Sequence, residues 1–149
     1  MQESELIEHP EGGRYKEVYR SAMKVNEAQR ERDALTHIYF SLNEDEVSRF
    51  HKVTSDEIWN LYEGEGLLLY LWDEETKQMD CIELSSAKRE YCHVVKAGLW
   101  QATAPISSKI LVGCSVAPGF EFQDFELIDS QSSIALDILQ EYPGLKRLV

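Results

Sequence analysis

Short runs of β-branched and aromatic residues recur along this chain, and turn signals separate them. The breaks consist of glycine or short polar side chains, and they fall at 11–13, 43–45, 63–66, 73–75 and 118–119. Runs of this length and composition, bounded by turn residues, are typical of the strands of a sandwich or barrel. The pattern therefore predicts an all-β body, and 149 residues fit a single domain over 1–149.

The predicted strands are ten, and one helix follows them. The strands are expected at 14–21, 36–42, 47–53, 57–62, 67–73, 78–84, 92–95, 99–103, 110–116 and 125–128. In residues 130–142 the spacing of apolar side chains is closer to that of a helix than to that of a strand, and Pro143-Gly144 terminates this segment. We therefore expect a short C-terminal helix that packs on the sheet. Residues 24–33 are charged and without periodicity, which favours an exposed loop.

Charge and composition narrow the classes of partner. Fifteen basic against twenty-seven acidic side chains give a formal net charge of −12, which disfavours nucleic acid and anionic membrane as partners. No run of eighteen apolar residues occurs, and the first residues are polar and acidic, unlike a signal peptide. Three cysteines form no C-x-x-C pair, which fits a reducing compartment. We therefore expect a soluble, cytoplasmic protein.

Two neighbouring predicted strands carry most of the candidate chemistry. Alternation along a strand puts His51 on one face with Arg49, and it puts Glu57 on one face with Trp59. If these faces point inward, the barrel interior contains an imidazole and a carboxylate. Both then need a partner, because burying an unpaired polar group is costly. A ligand, an ion or a structural polar pair would each meet that need.

The segment 50–66 resembles the first cupin motif, which has two histidines, a glutamate and a closing glycine. His51 stands in the first histidine slot, Glu57 in the glutamate slot and Gly64 in the glycine slot, whereas Val53 occupies the second histidine slot. The segment 96–105 is similar to the second motif at Gly98. There Lys96, Gln101 and Pro105 replace the proline, histidine and asparagine.

The resemblance extends over roughly residues 5–142 and points to the cupin-5 group of RmlC-like cupins. It rests on the segments 11–15, 19–21, 38–40, 50–66, 116–120 and 124–127. It implies a double-stranded β-helix, in which two antiparallel sheets form a jelly-roll cupin barrel, and it implies a homodimer. The aromatic residues Tyr70, Trp72 and Trp100 are the expected interface residues.

The resemblance also raises the question of a metal, since metal-dependent cupins bind their ion through three histidines and one glutamate. Of these four ligands only His51 and Glu57 are present. Gln101 offers an amide oxygen, which is a poor ligand for borderline ions beside imidazole. We therefore favour no cofactor, and a weakly held divalent metal on His51, Glu57 and Gln101 remains the alternative.

Without a metal, the closest functional analogues in the superfamily are the sugar-nucleotide epimerases, which use a histidine base and a tyrosine acid. This resemblance implies an isomerase or epimerase acting on a small carbonyl or sugar-like substrate. His51 is then the base, Glu57 orients it and Tyr39 returns a proton.

Residues for binding the substrate are also predicted. Arg20 and Arg49 are the expected partners of an anionic group, and Trp59 and Gln101 are expected to line the cleft. His9 is expected only to pack or cap at the Gly12-Gly13 turn. A non-catalytic, ligand-binding cupin is one alternative function, because the same cleft serves binding without turnover. An enzyme that depends on a weakly held divalent metal is the other.

Overall fold

The computed structural model describes residues 1–149 and contains thirteen strands and one α-helix. The strands are β1 (Ile7–Glu8), β2 (Arg14–Arg20), β3 (Lys24–Glu27), β4 (Arg30–Asp33), β5 (Thr36–Leu42), β6 (Ser48–Val53), β7 (Asp56–Glu63), β8 (Gly66–Asp73), β9 (Gln78–Ser85), β10 (Cys92–Val95), β11 (Trp100–Pro105), β12 (Ile110–Ala117) and β13 (Phe125–Leu127). The helix is α1 (Ser133–Glu141), and short 3-10 turns occupy Glu3–Glu5, Phe122–Asp124 and Pro143–Leu148. All ten predicted strands are present, with ends within two residues of those expected.

Two antiparallel sheets face each other. The first has the strand order β1-β2-β5-β12-β7-β10, and the second has the order β13-β6-β11-β8-β9. Neighbours in each sheet are often far apart in sequence, as in β5 beside β12 and β6 beside β11. This arrangement is the predicted jelly roll, and the expected all-β fold class is confirmed.

Alternation along the strands divides the buried residues into two layers. The inner layer fills the space between the sheets with twelve residues: Phe40, Leu42, Trp59, Leu61, Leu67, Leu69, Leu71, Leu84, Val95, Ile110, Val112 and Cys114. In β8, for example, Leu67, Leu69 and Leu71 point inward, whereas Trp72 belongs to the other layer. Because successive side chains on a strand point to opposite faces, the second sheet needs a cover on its outer face.

Helix α1 supplies that cover. Ser132 caps its first turn by accepting a hydrogen bond from the Ala135 N–H. The helix lies in a cluster that also contains the buried side chains of Phe50, Trp72 and Trp100. The expectation that Trp72 and Trp100 form a dimer interface is therefore wrong, since the chain's own C-terminal segment already covers both indoles.

Residues 24–33 form a hairpin of β3 and β4, not the predicted loop. Its turn residues Ala28 and Gln29 both have positive φ, 48° and 64°. Two consecutive positive φ values are the geometry of a type I′ turn, which glycine or asparagine usually occupies. Ion pairs hold the hairpin in place, because Arg30 and Arg32 contact Asp124 at 3.1 Å and 2.6 Å.

The packing of α1 yields a stability prediction. Ile138 is fully buried against the outer face of the second sheet, and Leu136 on the same helix is 60 % exposed. We expect Ile138→Ala to lower the free energy of unfolding by about 2–5 kcal/mol, because it leaves a cavity. The matched control Leu136→Ala should change it by less than about 0.5 kcal/mol. Urea unfolding measures both, and equal effects would mean that α1 does not cover the sheet.

Candidate functional site

The inner faces of β7 and β11 bring three of the predicted residues together. Gln101 lies between the other two: its Nε2 donates to Glu57 Oε2 at 2.7 Å, and its Oε1 accepts from Trp59 Nε1 at 2.7 Å. All three side chains are buried. The amide of Gln101 therefore connects the carboxyl of Glu57 to the indole of Trp59 across the two sheets.

Burial makes Glu57 an unusual carboxyl group. Loss of solvent raises its pKa from 4.5 to about 7, although hydrogen bonds from Gln101 and the Cys114 thiol favour the charged form. The same burial, with the neighbouring Glu57 and Glu11 carboxyls, raises the pKa of the Cys114 thiol well above its usual value. Glu57 therefore changes its charge near neutral pH, where a general acid or base is most effective.

His51 lies opposite, on β6, and its partner is a residue that the sequence did not single out. Its Nε2 is 3.1 Å from Oε2 of Glu11, in the turn before β2. The other oxygen of Glu11 accepts from Ser48 Oγ at 2.8 Å. The ring of Phe125 stacks on His51 with centroids 5.5 Å apart. Both members of the His51–Glu11 pair are buried.

The hydrogen-bond pattern determines how many protons this pair holds. His51 Nδ1 lies 2.8 Å from the backbone carbonyl of Arg49, which can only accept, so Nδ1 carries a hydrogen. The contact between Nε2 and Glu11 then needs one more proton. Burial lowers the pKa of His51 to about 3 and raises that of Glu11 well above 4.5, so the proton belongs to the carboxyl group. The pair is neutral.

His9 connects this pair to an open cavity. Its Nδ1 lies 3.4 Å from Glu11 Oε2, so that one carboxyl oxygen contacts both histidines. Desolvation by burial lowers the pKa of His9 to about 4, and the imidazole is therefore neutral at physiological pH. Unlike His51, whose two ring nitrogens are both engaged, His9 lines the cavity.

The cavity opens at one end of the barrel and has a volume of about 80 Å³. Its walls come from the segment before β2, from β2, β5 and β12, and from the segment after β12. The lining residues are His9, Tyr15, Glu17, Arg20, Thr36, Ile38, Cys114, Val116, Phe120, Glu121 and Phe122. Cys114 also lines the cavity and neighbours Glu57, so the cavity wall approaches the buried carboxyl group.

Arg20 reaches the mouth of this cavity, but its guanidinium is fully engaged. Nε and Nη2 donate to the carboxylate of Glu17, both at 2.9 Å. Nη1 donates to Asp33 at 2.8 Å and to Glu121 at 3.0 Å, and Nη2 also donates to the Phe120 carbonyl at 3.1 Å. These contacts use all five N–H groups of the side chain. Arg20 thus anchors the segment that bears Phe120.

Arg49 and Tyr39 do not line the cavity. The Arg49 guanidinium donates to the Ile128 carbonyl at 3.3 Å, at the edge of the second sheet. Tyr39 lies on the outer face of the first sheet, where its ring contacts His37 and Tyr62 with centroids 6.5 Å and 5.9 Å away. Tyr15, rather than Tyr39, is the tyrosine that shares the cavity with His9.

The turn 11–13 explains why periodicity did not indicate His9 and Glu11. Gly12 and Gly13 have φ of 113° and 70°, and a Cβ on Gly12 would overlap the carbonyl oxygen of Val47. Only glycine allows so close an approach in this conformation. The turn therefore presses the preceding residues against β6. The one signal in the sequence was the paired glycine next to two polar residues.

Fold and site together define a class: a jelly-roll barrel with a cavity at one end and titratable groups in its interior. The family described as Cupin superfamily (DUF985) matches residues 1–128, and the chain belongs to this family. The expected resemblance to the cupin-5 group is confirmed.

Solved structures agree with this assignment. A protein from Shewanella oneidensis is 36 % identical, with a TM-score of 0.79 over 97 % of this chain and 89 % of its own. A hypothetical protein from Leishmania major is 29 % identical, with a TM-score of 0.78 over 96 % of this chain and 90 % of its own. Oxalate decarboxylase of Bacillus subtilis shares only the fold: 12 % identity and a TM-score of 0.61 over 91 % of this chain and 34 % of its own. No protein with a curated description matches.

The donor atoms of the expected metal ligands are directed at protein groups. His51 bonds through both ring nitrogens, Gln101 bonds through its oxygen to Trp59, and Glu57 accepts from Gln101. No three histidine, cysteine, aspartate or glutamate side chains are grouped so that they could hold an ion. The residues present do not fit the cupin metal. In addition, no helix is long and apolar enough to cross a membrane.

The pKa of Glu57 predicts how stability depends on pH. Between pH 4.5 and 7 the folded state keeps a proton that the unfolded state loses, so the free energy of unfolding falls as pH rises. The total loss is about 3 kcal/mol, at about 1.4 kcal/mol per pH unit. Glu57→Gln cannot titrate and does not lose this stability. We therefore expect its free energy of unfolding, measured relative to that of the wild type, to be about 3 kcal/mol higher at pH 7 than at pH 4.5.

Urea unfolding at several pH values measures the difference. The effects of His9 and His51 are common to both proteins and cancel. Glu31→Gln, at an exposed position in the hairpin, is the control and should follow the wild type. A constant difference between wild type and Glu57→Gln across this range would mean that the Glu57 pKa is not raised.

Proposed function

We propose that the protein is a small-molecule-binding cupin whose barrel carries out metal-independent acid–base chemistry of the isomerase or epimerase type. The substrate is a small carbonyl or sugar-like molecule. One observation carries the proposal: the cavity wall continues directly into a buried proton-holding set. His9 lines the cavity, and Glu11 Oε2 lies 3.4 Å from His9 and 3.1 Å from His51.

Within this set, His9 is the residue that contacts the substrate. The Glu11 backbone N–H donates to His9 Nδ1 at 3.3 Å, so the neutral imidazole carries its hydrogen on Nε2. In the proposed step the carbon next to the carbonyl gives its proton to Glu57 in its charged form, and the bonding electrons move to the carbonyl oxygen, which the His9 Nε2–H stabilises by a hydrogen bond. Glu11 orients the His9 ring, and His51 in turn holds the carboxyl group of Glu11.

Two roles from the sequence are reassigned in this proposal. His51, first expected as the base, acts through Glu11, because both of its ring nitrogens are engaged. Tyr15 on the cavity wall takes the place of Tyr39 as the acid that returns a proton. Glu57 remains a candidate acid or base, since its pKa of about 7 lets it exchange a proton near neutrality.

A non-catalytic, ligand-binding cupin is the second candidate, and a specific observation favours it. Glu57, Gln101 and Trp59 satisfy one another by hydrogen bonds without any ligand. Such closed polar networks also occur where the function is to keep a core rigid. In that case the cavity binds a small molecule, and the buried histidines only hold its walls.

Exchange of substrate protons for deuterium distinguishes the two functions. The wild type is incubated in D₂O with neutral, cationic and anionic aldehydes, ketones and sugars, and exchange is followed by NMR. We expect His9→Ala to slow exchange by about 10²–10⁴-fold, the usual contribution of a positioned acid or base. Calorimetry should show that substrate still binds.

The matched control is His93→Ala, which removes a histidine that does not line the cavity. It should leave exchange unchanged, and thermal unfolding should show that every variant is folded. His51→Asn should slow exchange less than His9→Ala and should move its pH profile. Binding without exchange in the wild type would favour the non-catalytic function, and equal losses in His9→Ala and His93→Ala would contradict the role of His9.

A further inference from the structure

Aromatic rings surround the cavity from several directions. His9 and Tyr15 lie with centroids 4.8 Å apart and planes at 78°, and Phe120 and Phe122 lie 5.0 Å apart at 84°. His9 and Phe122 join the two pairs at 5.9 Å. The first two pairs cross at steep angles, the third is tilted by 35°, and all four residues line the cavity. A cavity lined by several aromatic rings suits a compact group with a diffuse positive charge, because each ring has a negative face.

The charged side chains along the cavity also favour a positively charged ligand. Two carboxylates, Glu17 and Glu121, line the cavity, and Arg20 is the one basic residue among the lining side chains. Arg20 gives its N–H groups to Glu17, Asp33, Glu121 and a backbone carbonyl. It therefore has no donor left for a carboxylate or phosphate of a ligand, and its charge is balanced by carboxylates on the protein.

The interior adds no positive charge. Burial lowers the pKa of His9 to about 4, so it is neutral at physiological pH. The His51–Glu11 pair is neutral, and Glu57 is neutral or negative. An anion would enter a partly desolvated space without a cation to meet it, which is costly. A cation meets aromatic rings and carboxylates.

We propose that this cavity selects a small organic cation with an alkylated ammonium head group. This inference rests on the proposed function in one respect, since it names the substrate class of the same site. The cavity volume of about 80 Å³ suits a head group, with the rest of the molecule extending through the mouth. The reactive carbonyl then lies on the same molecule as the cation.

The chemistry of the walls distinguishes an alkylated ammonium from a primary amine. A primary ammonium carries three N–H donors that need acceptors when they leave water. Four rings and the aliphatic side chains of Ile38 and Val116 line the cavity, and the carboxylates of Glu17 and Glu121 already accept hydrogen bonds from Arg20. Alkyl groups on nitrogen pack against such walls, and the charge is still stabilised through cation–π contacts.

Three probes of nearly one shape test the sign of the charge. Choline carries a trimethylammonium group, 3,3-dimethylbutan-1-ol replaces the nitrogen by carbon, and 3,3-dimethylbutanoate is an anion with the same tert-butyl group. Calorimetry or NMR titration gives the affinity of each for the wild type. We expect choline to bind at least tenfold more tightly than the neutral alcohol, and the anion to bind most weakly.

Substitutions in the walls test the location. Tyr15→Leu and Phe122→Leu keep an apolar side chain but remove a ring, and each should weaken choline by about 3- to 30-fold. The matched control Tyr19→Leu removes an exposed tyrosine from the same strand and should have no effect. Glu121→Gln should weaken choline and leave the neutral alcohol unchanged.

Equal binding of choline and the neutral alcohol would overturn the proposal, and so would tighter binding of the anion. The proposal would also be overturned if Tyr15→Leu and Phe122→Leu left the affinity for choline unchanged. No binding of choline would also overturn it. Failure of the proposed acid–base function gives a different result from failure of the cation site. Proton exchange on neutral substrates without choline binding would leave the acid–base function intact, whereas choline binding without exchange on cationic carbonyl compounds would leave the cation site and remove the chemistry.

Discussion

The contact between Glu11 and His51 holds the end of the barrel where the cavity opens. Glu11 belongs to the turn that leads into the first sheet, and His51 belongs to the second sheet. The carboxyl group of Glu11 also accepts a hydrogen bond from Ser48, and the backbone carbonyl of Glu11 accepts one from the Arg49 N–H at 2.7 Å. These bonds join the two sheets at a place where the buried side chains are polar rather than apolar. An unpaired buried group there would cost about 1–3 kcal/mol.

The same contact explains why the site separates into a hidden and an accessible part. His51 satisfies Glu11 and the Arg49 carbonyl, and it has no nitrogen left for a ligand. His9 meets the same carboxyl oxygen from the other side and borders the cavity. A proton that arrives at His9 is therefore one carboxyl group away from His51, in surroundings where desolvation controls each pKa.

Periodicity predicted the strands and the inward direction of His51, Glu57, Trp59 and Gln101, because alternation is a local property of the chain. It could not predict features that depend on distant residues. The 24–33 hairpin lacks a glycine turn signal, and its geometry is stabilised by ion pairs to Asp124. Likewise, Trp72 and Trp100 appear exposed until α1 is placed over them.

The candidate site shows the same limit. Which way His9 and Glu11 point is determined by the Gly12-Gly13 turn and its contact with Val47, and turn side chains follow no period. Arg20 is adjacent to the cleft, as expected for an anion-binding residue, but three carboxylates pair with it: Glu17 on the same strand, and Asp33 and Glu121 from more distant parts of the chain. A count of basic residues near a cleft therefore predicts the ligand's charge only after their protein partners are known. Here that correction reverses the expected sign of the ligand's charge: carboxylates and aromatic rings remain along the cavity, and these attract a cation.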